Sequence, residues 1–470
     1  MKAVQQKSFT GPIILLTMVC FLIVGLLPFA PSPLGDVNFH QEAKTLSLSL
    51  RGASSWSDLR ISHAPGPALY YAIPYLFVPA GASDHAYWVA ACIWNFFCTT
   101  LATLLVYFTA RLLAGERAGR IAAILVLIAP FGIYYSFGIA AETPAFLGAA
   151  IFAYGWARYR THRAAGAFLS CAGLILLVLN RPNTLPVAAL AVLIAAIGWT
   201  SKSSIMRAES RLALRCALFT FAAVIVASAL LALQKGNEGL RVQTTNIYDI
   251  LLQGSYQFRT EPWDWRNWGK NTREGSLDYQ DWSVQRDRLL KESLDSGIHF
   301  RDVERAWVVD DVLTHPLLHL RATAVRVLSQ NVATVNSVHP DSFGMGSFRG
   351  RWVFFGFHAL LNLIGLLPLA GSLWFFAQRR REILSYWTLW SPWLALFTFH
   401  ALVYAEPRYL LPGRPLLCIM SALALTQYLN SRESATSRHA HDGALVMAGR
   451  GWAADGSNGE REVIRTRVKV

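Results

Sequence analysis

The chain has 470 residues, of which 53% are hydrophobic and only 15% are charged. Soluble domains average about 25% charged residues, so the composition excludes an ordinary soluble protein and favours one with several membrane spans. The net charge of +14 does not indicate nucleic-acid binding, because Lys and Arg lie mostly in short loops between apolar runs, as the positive-inside rule expects of cytoplasmic loops.

We predict ten transmembrane helices, one for each apolar run that can cross about 30 Å of hydrocarbon. In chain order the predicted spans are 12–30, 87–110, 120–137, 143–158, 166–180, 184–199, 213–233, 351–377, 386–404 and 409–428. The first is interpreted as an uncleaved helix, because its apolar stretch is too long for the core of a signal peptide and no A-x-A cleavage site follows.

The charges of the connecting segments predict the orientation. Arg and Lys are concentrated in the short segments 114–120, 158–164, 200–215 and 378–382. With ten spans all of these lie on the side of the N-terminus, which the positive-inside rule assigns to the cytoplasm.

The predicted topology divides the chain into four parts. Residues 1–233 form an N-terminal transmembrane module whose first outer loop is 31–86, and 234–350 form a large outer loop. Residues 351–429 supply the C-terminal transmembrane helices. The remainder, 430–470, is rich in Ser, Gly, Arg and His, which predicts a disordered cytoplasmic tail.

Three segments of the outer loops are predicted to lie at the membrane surface or to be helical there. The run PGPALYYAIPYLFVP at 65–79 is short and contains four prolines, so it is interpreted as an interfacial or re-entrant helix. Helical periodicity extends over 281–296 and 301–329, and the second mixes apolar and charged positions. The fold class is therefore an all-α polytopic membrane protein with about ten transmembrane helices and interfacial helices in two outer loops.

Polar residues at the outer ends of the spans are the candidate site. Charged residues inside a bilayer mark ion or proton pathways, and the predicted spans carry almost none at their centres. That pattern disfavours a proton-coupled transporter and favours a site at the outer boundary of the membrane. The topology places on this one face Asp36, His63, Glu142, Arg181, Arg408 and Tyr409.

Each of these residues also has an ordinary structural interpretation. Glu142 before Thr-Pro suits a helix N-terminus, where an acid and a proline are both favourable. Arg181 and Arg408 are placed where long side chains anchor a helix at the interface. Asp36 and His63 would suit a solvated loop. It is therefore the combination of all these residues on one face that indicates a site.

Tryptophans are concentrated in the large outer loop, within EPWDWRNWGKNTREGSLDYQDW at 261–282. Aromatic faces bind sugars, so Trp263, Trp265 and Trp282 are candidate acceptor- or sugar-binding residues. An interfacial belt of tryptophans is the alternative interpretation.

The order of these motifs resembles the GT-C superfamily of membrane glycosyltransferases, and within it the protein O-mannosyltransferases and the bacterial lipid A aminoarabinose transferases. The resemblance extends over residues 1–430. The motifs that carry it are GDVNFHQEA, SHAPGPALYYAIP, AETPAF, NRPN and PRYLLPGRPLL.

The resemblance implies that Asp36 is the catalytic base, since an acceptor hydroxyl needs a carboxylate within hydrogen-bond reach as its proton leaves. His63 would assist by hydrogen bonding, and Glu142 would orient His63 or the acceptor. Many members of the family have Asp-Glu where this chain has Asp36-Val37. We therefore expect no cofactor and no metal-binding residues, with a divalent metal as the alternative.

The resemblance also implies a phosphate site formed by Arg181, Arg408 and Tyr409. A guanidinium group pairs phosphate oxygens bidentately and keeps its charge. The expected function is transfer of one hexose or pentose, with inversion, from a polyprenyl-phosphate donor to a hydroxyl of an envelope glycan or glycolipid. The expected location is a bacterial inner membrane, with the site facing the periplasm.

Two other functions remain as alternatives. One is a transporter or flippase for a lipid-linked sugar, which would place polar residues and broken helices near mid-membrane. The other is a ligase-like transferase that uses a diphosphate-linked donor and does not need the early Asp36.

Overall fold

The computed structural model describes residues 9–26, 37–59, 61, 64–128, 135–234, 247–259, 277–332, 348–404 and 407–452. The chain forms two compact units, residues 1–424 and residues 425–470. The first unit contains the elements discussed below.

The described residues form fifteen α-helices and no β-strand. The helices are α1 (Thr10–Leu26), α2 (Val37–Leu50), α3 (Pro65–Tyr75), α4 (Asp84–Ile128), α5 (Glu142–Tyr159), α6 (Arg163–Asn180), α7 (Pro186–Thr200), α8 (Ser204–Gln234), α9 (Ile247–Tyr256), α10 (Leu277–Ser296), α11 (Phe300–Thr314), α12 (Pro316–Val332), α13 (Phe348–Arg379), α14 (Trp387–Leu402) and α15 (Arg414–Trp452). Short 3-10 segments precede α7 and α15 at Pro182–Thr184 and Pro407–Gly413.

The predicted fold class is confirmed, because the described part of the chain is almost entirely helical and repeatedly apolar. Five of its helical segments are long and apolar enough to cross a bilayer, and two further apolar segments, Thr10–Ile23 and Leu363–Arg379, are shorter. Each of the ten predicted spans coincides wholly or in part with one of these fifteen helices.

Helix α4 contains the predicted span 87–110 and the first part of the predicted span 120–137, separated by a sharp break. The backbone leaves the helical region at Ala114 and Gly115, and Gly115 has φ +85°, a conformation that glycine adopts without a Cβ penalty. Glu116 closes this turn by accepting hydrogen bonds from Tyr107 and from Arg120. The basic segment 114–120 is therefore a tight connection between two antiparallel arms.

Helices α5 and α6 form a closely packed antiparallel hairpin. A Cβ added to Gly148 would lie 2.7 Å from the Leu177 backbone nitrogen, and one added to Gly173 would collide with the backbone of Phe152. Small residues permit such close approach of helix backbones in membranes. The hairpin places the start of α5 and the end of α6 side by side.

A buried carboxylate joins three helices near the other end of this hairpin. Glu209 of α8 is 3% exposed and accepts hydrogen bonds from the indole nitrogens of Trp156 on α5, at 3.0 Å, and Trp387 on α14, at 3.2 Å. Arg160 lies 3.7 Å from the same carboxylate. These contacts fix α14 beside the α5–α6 hairpin.

The segment predicted as interfacial contains α3, a helix of 11 residues. At 1.5 Å per residue it is about 16 Å long, about half of what a span requires. Its Tyr71 hydroxyl bonds the backbone of Ala140 at 2.9 Å, and Asn95 donates to Ser136 and Gly138. Helices α3 and α4 thereby hold the residues that lead into α5.

The second predicted outer segment, residues 234–350, is anchored to the bundle by Arg326 of α12. This side chain is 2% exposed and donates to the carbonyl oxygens of Ala401 at 2.8 Å and Gly254 at 2.8 Å. It therefore joins the end of α14 to α9. On the same helix Leu317 and Leu320 are 78% and 66% exposed, and the location of α12 at the membrane surface stays a prediction.

The described part of the predicted tail differs from expectation. Helix α15 continues to Trp452, so residues 430–452 are helical rather than irregular, and 453–470 lie outside the described residues. Helix propagation adds one hydrogen bond per residue once a turn exists.

Candidate active site

The centre of the candidate site is an ion pair between α5 and the end of α6. Glu142 is the first residue of α5, and Arg181 directly follows α6. Because the two helices are antiparallel neighbours, their side chains meet, and the Arg181 guanidinium donates to a Glu142 carboxylate oxygen. The Glu142 side chain is 2% exposed and that of Arg181 is 16% exposed.

Tyr409 is brought to the same place from a distant part of the sequence. It lies in the 3-10 segment Pro407–Gly413. The Arg181 guanidinium carbon is 4.9 Å from the centre of the Tyr409 ring, a cation–π contact. Three residues predicted from the sequence, namely Glu142, Arg181 and Tyr409, are therefore in one cluster.

His400 is part of this cluster and was not predicted from the sequence. It lies near the end of α14, is 4% exposed, and its ring centre is 4.4 Å from that of Tyr409. Its Nδ1 is 2.8 Å from the Tyr404 carbonyl oxygen. The available signal was that His400 is the one ionisable residue in the otherwise uncharged sequence of α14, a pattern that indicates function in a membrane helix.

Asn183 completes the described cluster and was quoted only as part of the NRPN turn. Its side-chain nitrogen is 2.6 Å from Nε2 of His400. The 3-10 turn Pro182–Thr184 positions it two residues after Arg181, and the Thr184 hydroxyl stabilises the turn by donating to the Arg181 carbonyl.

Two polar atoms of the cluster have no hydrogen-bond partner within the described part of the chain: Nε of Arg181 and Oδ1 of Asn183. Both atoms are buried, and a buried polar group without a partner costs about 1–3 kcal/mol. The cluster can therefore give at least one hydrogen bond to an anionic group and accept one from a hydroxyl.

The structure does not place every predicted site residue. Asp36, His63, Trp263 and Trp265 lie outside the described residues. Arg408 belongs to the 3-10 segment that contains Tyr409, but nothing is described of its side chain. The roles of these residues stay predictions.

Trp282 lies in α10, within the second outer segment. Its ring packs against the apolar cluster that includes Leu252 and Leu289, and its centre is 5.2 Å from the Tyr279 ring. This packing accounts for part of the Trp282 surface, and the assignment of Trp282 to sugar binding stays a prediction.

No cluster of His, Cys, Asp and Glu suited to a metal ion occurs among the residues with described positions. The cluster of Glu142, Arg181, Asn183 and His400 contains one carboxylate, already engaged by a guanidinium. Its chemistry suits anion and hydroxyl recognition.

Residues 319–449 match the model of the Alg9-like mannosyltransferase family. This region includes His400 and Tyr409, whereas Glu142 and Arg181 lie before it. The match confirms the predicted resemblance to the GT-C superfamily. A comparison with curated proteins found no match.

Three solved structures are similar to the chain. An oligosaccharyltransferase of Archaeoglobus fulgidus in the apo form has a TM-score of 0.49 at 13% identity, over 93% of this chain and 52% of that one. The oligosaccharyltransferase AglB of the same organism, in complex with an inhibitory peptide and a dolichol-phosphate, has a TM-score of 0.45 at 14% identity, over 98% of this chain and 53% of that one. ArnT of Cupriavidus metallidurans bound to undecaprenyl phosphate has a TM-score of 0.37 at 13% identity, over 88% of this chain and 78% of that one. The chain thus spans about half the length of the archaeal proteins.

Proposed function

We propose that the chain is a membrane glycosyltransferase that transfers one sugar from a polyprenyl-phosphate donor to a hydroxyl of an envelope glycan or glycolipid. The observation that carries the proposal is the convergence of Glu142, Arg181 and Tyr409 at one end of the bundle. The three come from separate segments of the chain and were all expected at the outer boundary of the membrane. The family match of residues 319–449 supports the same reaction class.

In this proposal Arg181 binds the donor phosphate. A guanidinium group forms charge-assisted hydrogen bonds with phosphate oxygens, which are about twice as strong as neutral ones. Arg181 retains a buried Nε–H without a partner in the described region, which supports binding of one further anionic oxygen. Arg408 and Tyr409 would complete the phosphate site.

The role proposed for Glu142 differs from the one expected from the sequence. Because its carboxylate engages Arg181, Glu142 neutralises this guanidinium while the site is empty. Its expected role in orienting His63 or the acceptor stays a prediction, since His63 lies outside the described residues. A buried cation without a counterion is costly, so the ion pair maintains the site until a phosphate arrives.

Asp36 is the proposed base. It directly precedes α2, in the first outer loop. As the anomeric carbon loses the phosphate through an oxocarbenium-like state, the acceptor oxygen attacks from the opposite face and gives its proton to a carboxylate. One carboxylate and one departing phosphate predict inversion at the anomeric carbon. The predicted topology has this site facing the periplasm.

The test is release of polyprenyl phosphate by the purified protein in nanodiscs, with a panel of polyprenyl-phospho-sugars and an envelope acceptor extract. We expect release by the wild type and by Asp58→Asn, a change to an exposed acid of the same outer loop, but not by Asp36→Asn. Equal release by Asp36→Asn would reject the assigned base. No release by folded wild type, with release from a diphosphate-linked donor or movement of lipid across a vesicle membrane, would favour the alternative functions.

A further inference from the structure

The neutral form of His400 has one defined tautomer. Its Nδ1 lies 2.8 Å from the Tyr404 carbonyl oxygen, and a carbonyl oxygen only accepts hydrogen bonds, so Nδ1 carries a proton. Nε2 of the neutral ring must then be an acceptor. This assignment follows from the hydrogen-bond chemistry of the two partners.

The Asn183 amide is oriented by that acceptor. Its Nδ2 lies 2.6 Å from Nε2 of His400 and donates to it. The opposite end of the amide, Oδ1, is buried and has no partner among the residues whose positions are described. With His400 neutral, the amide therefore presents an acceptor away from His400.

Protonation of His400 would reverse this arrangement. Both ring nitrogens of a histidinium ion are donors, so Nε2–H would require an acceptor, and Oδ1 of Asn183 can supply it after a half-turn of the amide. The amide would then present its two N–H donors where it had presented an oxygen.

We propose that His400 is a positioning residue for the donor phosphate and acts through the Asn183 amide. Its protonation adds one positive charge and converts Asn183 from an acceptor to a donor, so the site binds phosphate more tightly at lower pH. Histidine changes its charge between pH 5 and 8. This inference rests on the function proposed above, since it assumes a phosphate ligand beside Arg181.

Other charged and titratable groups near His400 also act on its protonation. The 181–184 turn contributes Arg181, and α5 contributes Glu142, which pairs with Arg181. The 404–413 segment contributes the Tyr404 and Tyr409 phenols, and α12 contributes Arg326 on the last carbonyls of α14. Glu142 and Arg181 pair with each other, and His400 is the histidine of the cluster among the residues with described positions. Comparing His400→Gln with the wild type therefore isolates the contribution of His400.

The test measures binding of methyl farnesyl phosphate, a phosphodiester whose single negative charge does not change over the pH range used. Affinity is measured in nanodiscs at about pH 5.5 and about pH 8, on either side of the histidine range. The variants are His400→Gln, which keeps a neutral hydrogen-bonding side chain, and Asn183→Ala. The matched control is His162→Gln, at an exposed histidine before α6 at the opposite end of the hairpin.

For the wild type and His162→Gln we expect Kd to be about tenfold lower at the lower pH, a change of about 1.4 kcal/mol. His400→Gln is expected to bind with one affinity at both pH values. Asn183→Ala is expected to lose part of the pH dependence, because the charge of His400 remains while the amide is gone. An unchanged pH dependence in folded His400→Gln, or in Asn183→Ala if the former does not fold, would overturn the inference. Tight binding that does not depend on pH in the wild type would overturn the inference about His400 but would leave the proposed donor class intact. Absence of binding in every folded protein would reject both the inference and the proposed donor class.

Discussion

Replacing either partner of the Glu142–Arg181 pair is expected to destabilise the protein but to change donor affinity in opposite directions. Both side chains are largely removed from solvent, with 2% and 16% exposed. Removing one member of a buried pair costs about 3–5 kcal/mol, because the other charge is left uncompensated. We therefore expect Glu142→Gln and Arg181→Gln each to lower stability by about 3 kcal/mol, and the double variant to lose less than the sum.

Donor affinity separates the two single variants. Arg181→Gln loses charge-assisted hydrogen bonds worth about 1.5–3 kcal/mol, so Kd for methyl farnesyl phosphate should rise by about tenfold to a hundredfold. Glu142→Gln removes a carboxylate that competes for the guanidinium. Two like charges about 6 Å apart repel by about 3 kcal/mol at an effective dielectric constant of about 20, so part of this repulsion is relieved and Kd should fall by about tenfold.

The assay combines thermal unfolding in nanodiscs with equilibrium binding of the phosphodiester. Glu116→Gln is the matched control, because Glu116 also pairs with arginine, at the α4 turn, and should lower stability without changing donor affinity. A Kd that rises in Glu142→Gln as much as in Arg181→Gln would refute the role of Glu142 as a competing counterion. Strictly additive stability losses in the double variant would refute the pairing itself.

Four further outcomes are expected. Burial, reinforced by the nearby charge of Asp249, raises the pKa of Glu304 to about 7. Its contribution to stability is complete below the unfolded pKa of about 4.3 and is lost as pH rises through 7. Relative to the wild type, Glu304→Gln should therefore be about 4 kcal/mol more stable at pH 8 and equally stable at pH 4, as measured by thermal unfolding. Gly173→Val should separate α5 from α6 and lower both stability and donor binding, since its Cβ would collide with the Phe152 backbone. Arg408→Ala should raise the donor concentration needed for half-maximal release, by about tenfold for one lost phosphate contact. A tag at residue 270 should be reached by an impermeant reagent from outside intact spheroplasts.

Each of these outcomes has a control in the chain. Glu292→Gln changes an exposed acid of α10 and should leave the pH dependence of stability unaltered. Gly356→Val adds a side chain where no atom lies within 4 Å. Arg305→Ala removes an exposed arginine of α11 and should not alter donor affinity. A tag at residue 202 should stay protected, and the reverse labelling pattern would contradict the predicted topology.

The sequence determined which residues lie at helix ends, and for a physical reason that is local. A run of apolar residues must be helical in a membrane, because its backbone groups have no other hydrogen-bond partners there. The polar residues that interrupt such runs must then lie at the boundary, which is why Glu142, Arg181 and Tyr409 could be selected from the sequence. The helix and break positions of α4 followed from the same argument.

Only the tertiary structure decided which of these residues meet. Nothing in the local pattern states that Gly148 and Gly173 let α5 and α6 approach closely enough for Glu142 to engage Arg181. Nor does it state that α14 lies beside them, held by Glu209, so that His400 reaches Asn183. The length and position of an apolar run determine how its helix sits across a membrane. The neighbours of that helix are determined by side-chain packing between residues far apart in the sequence.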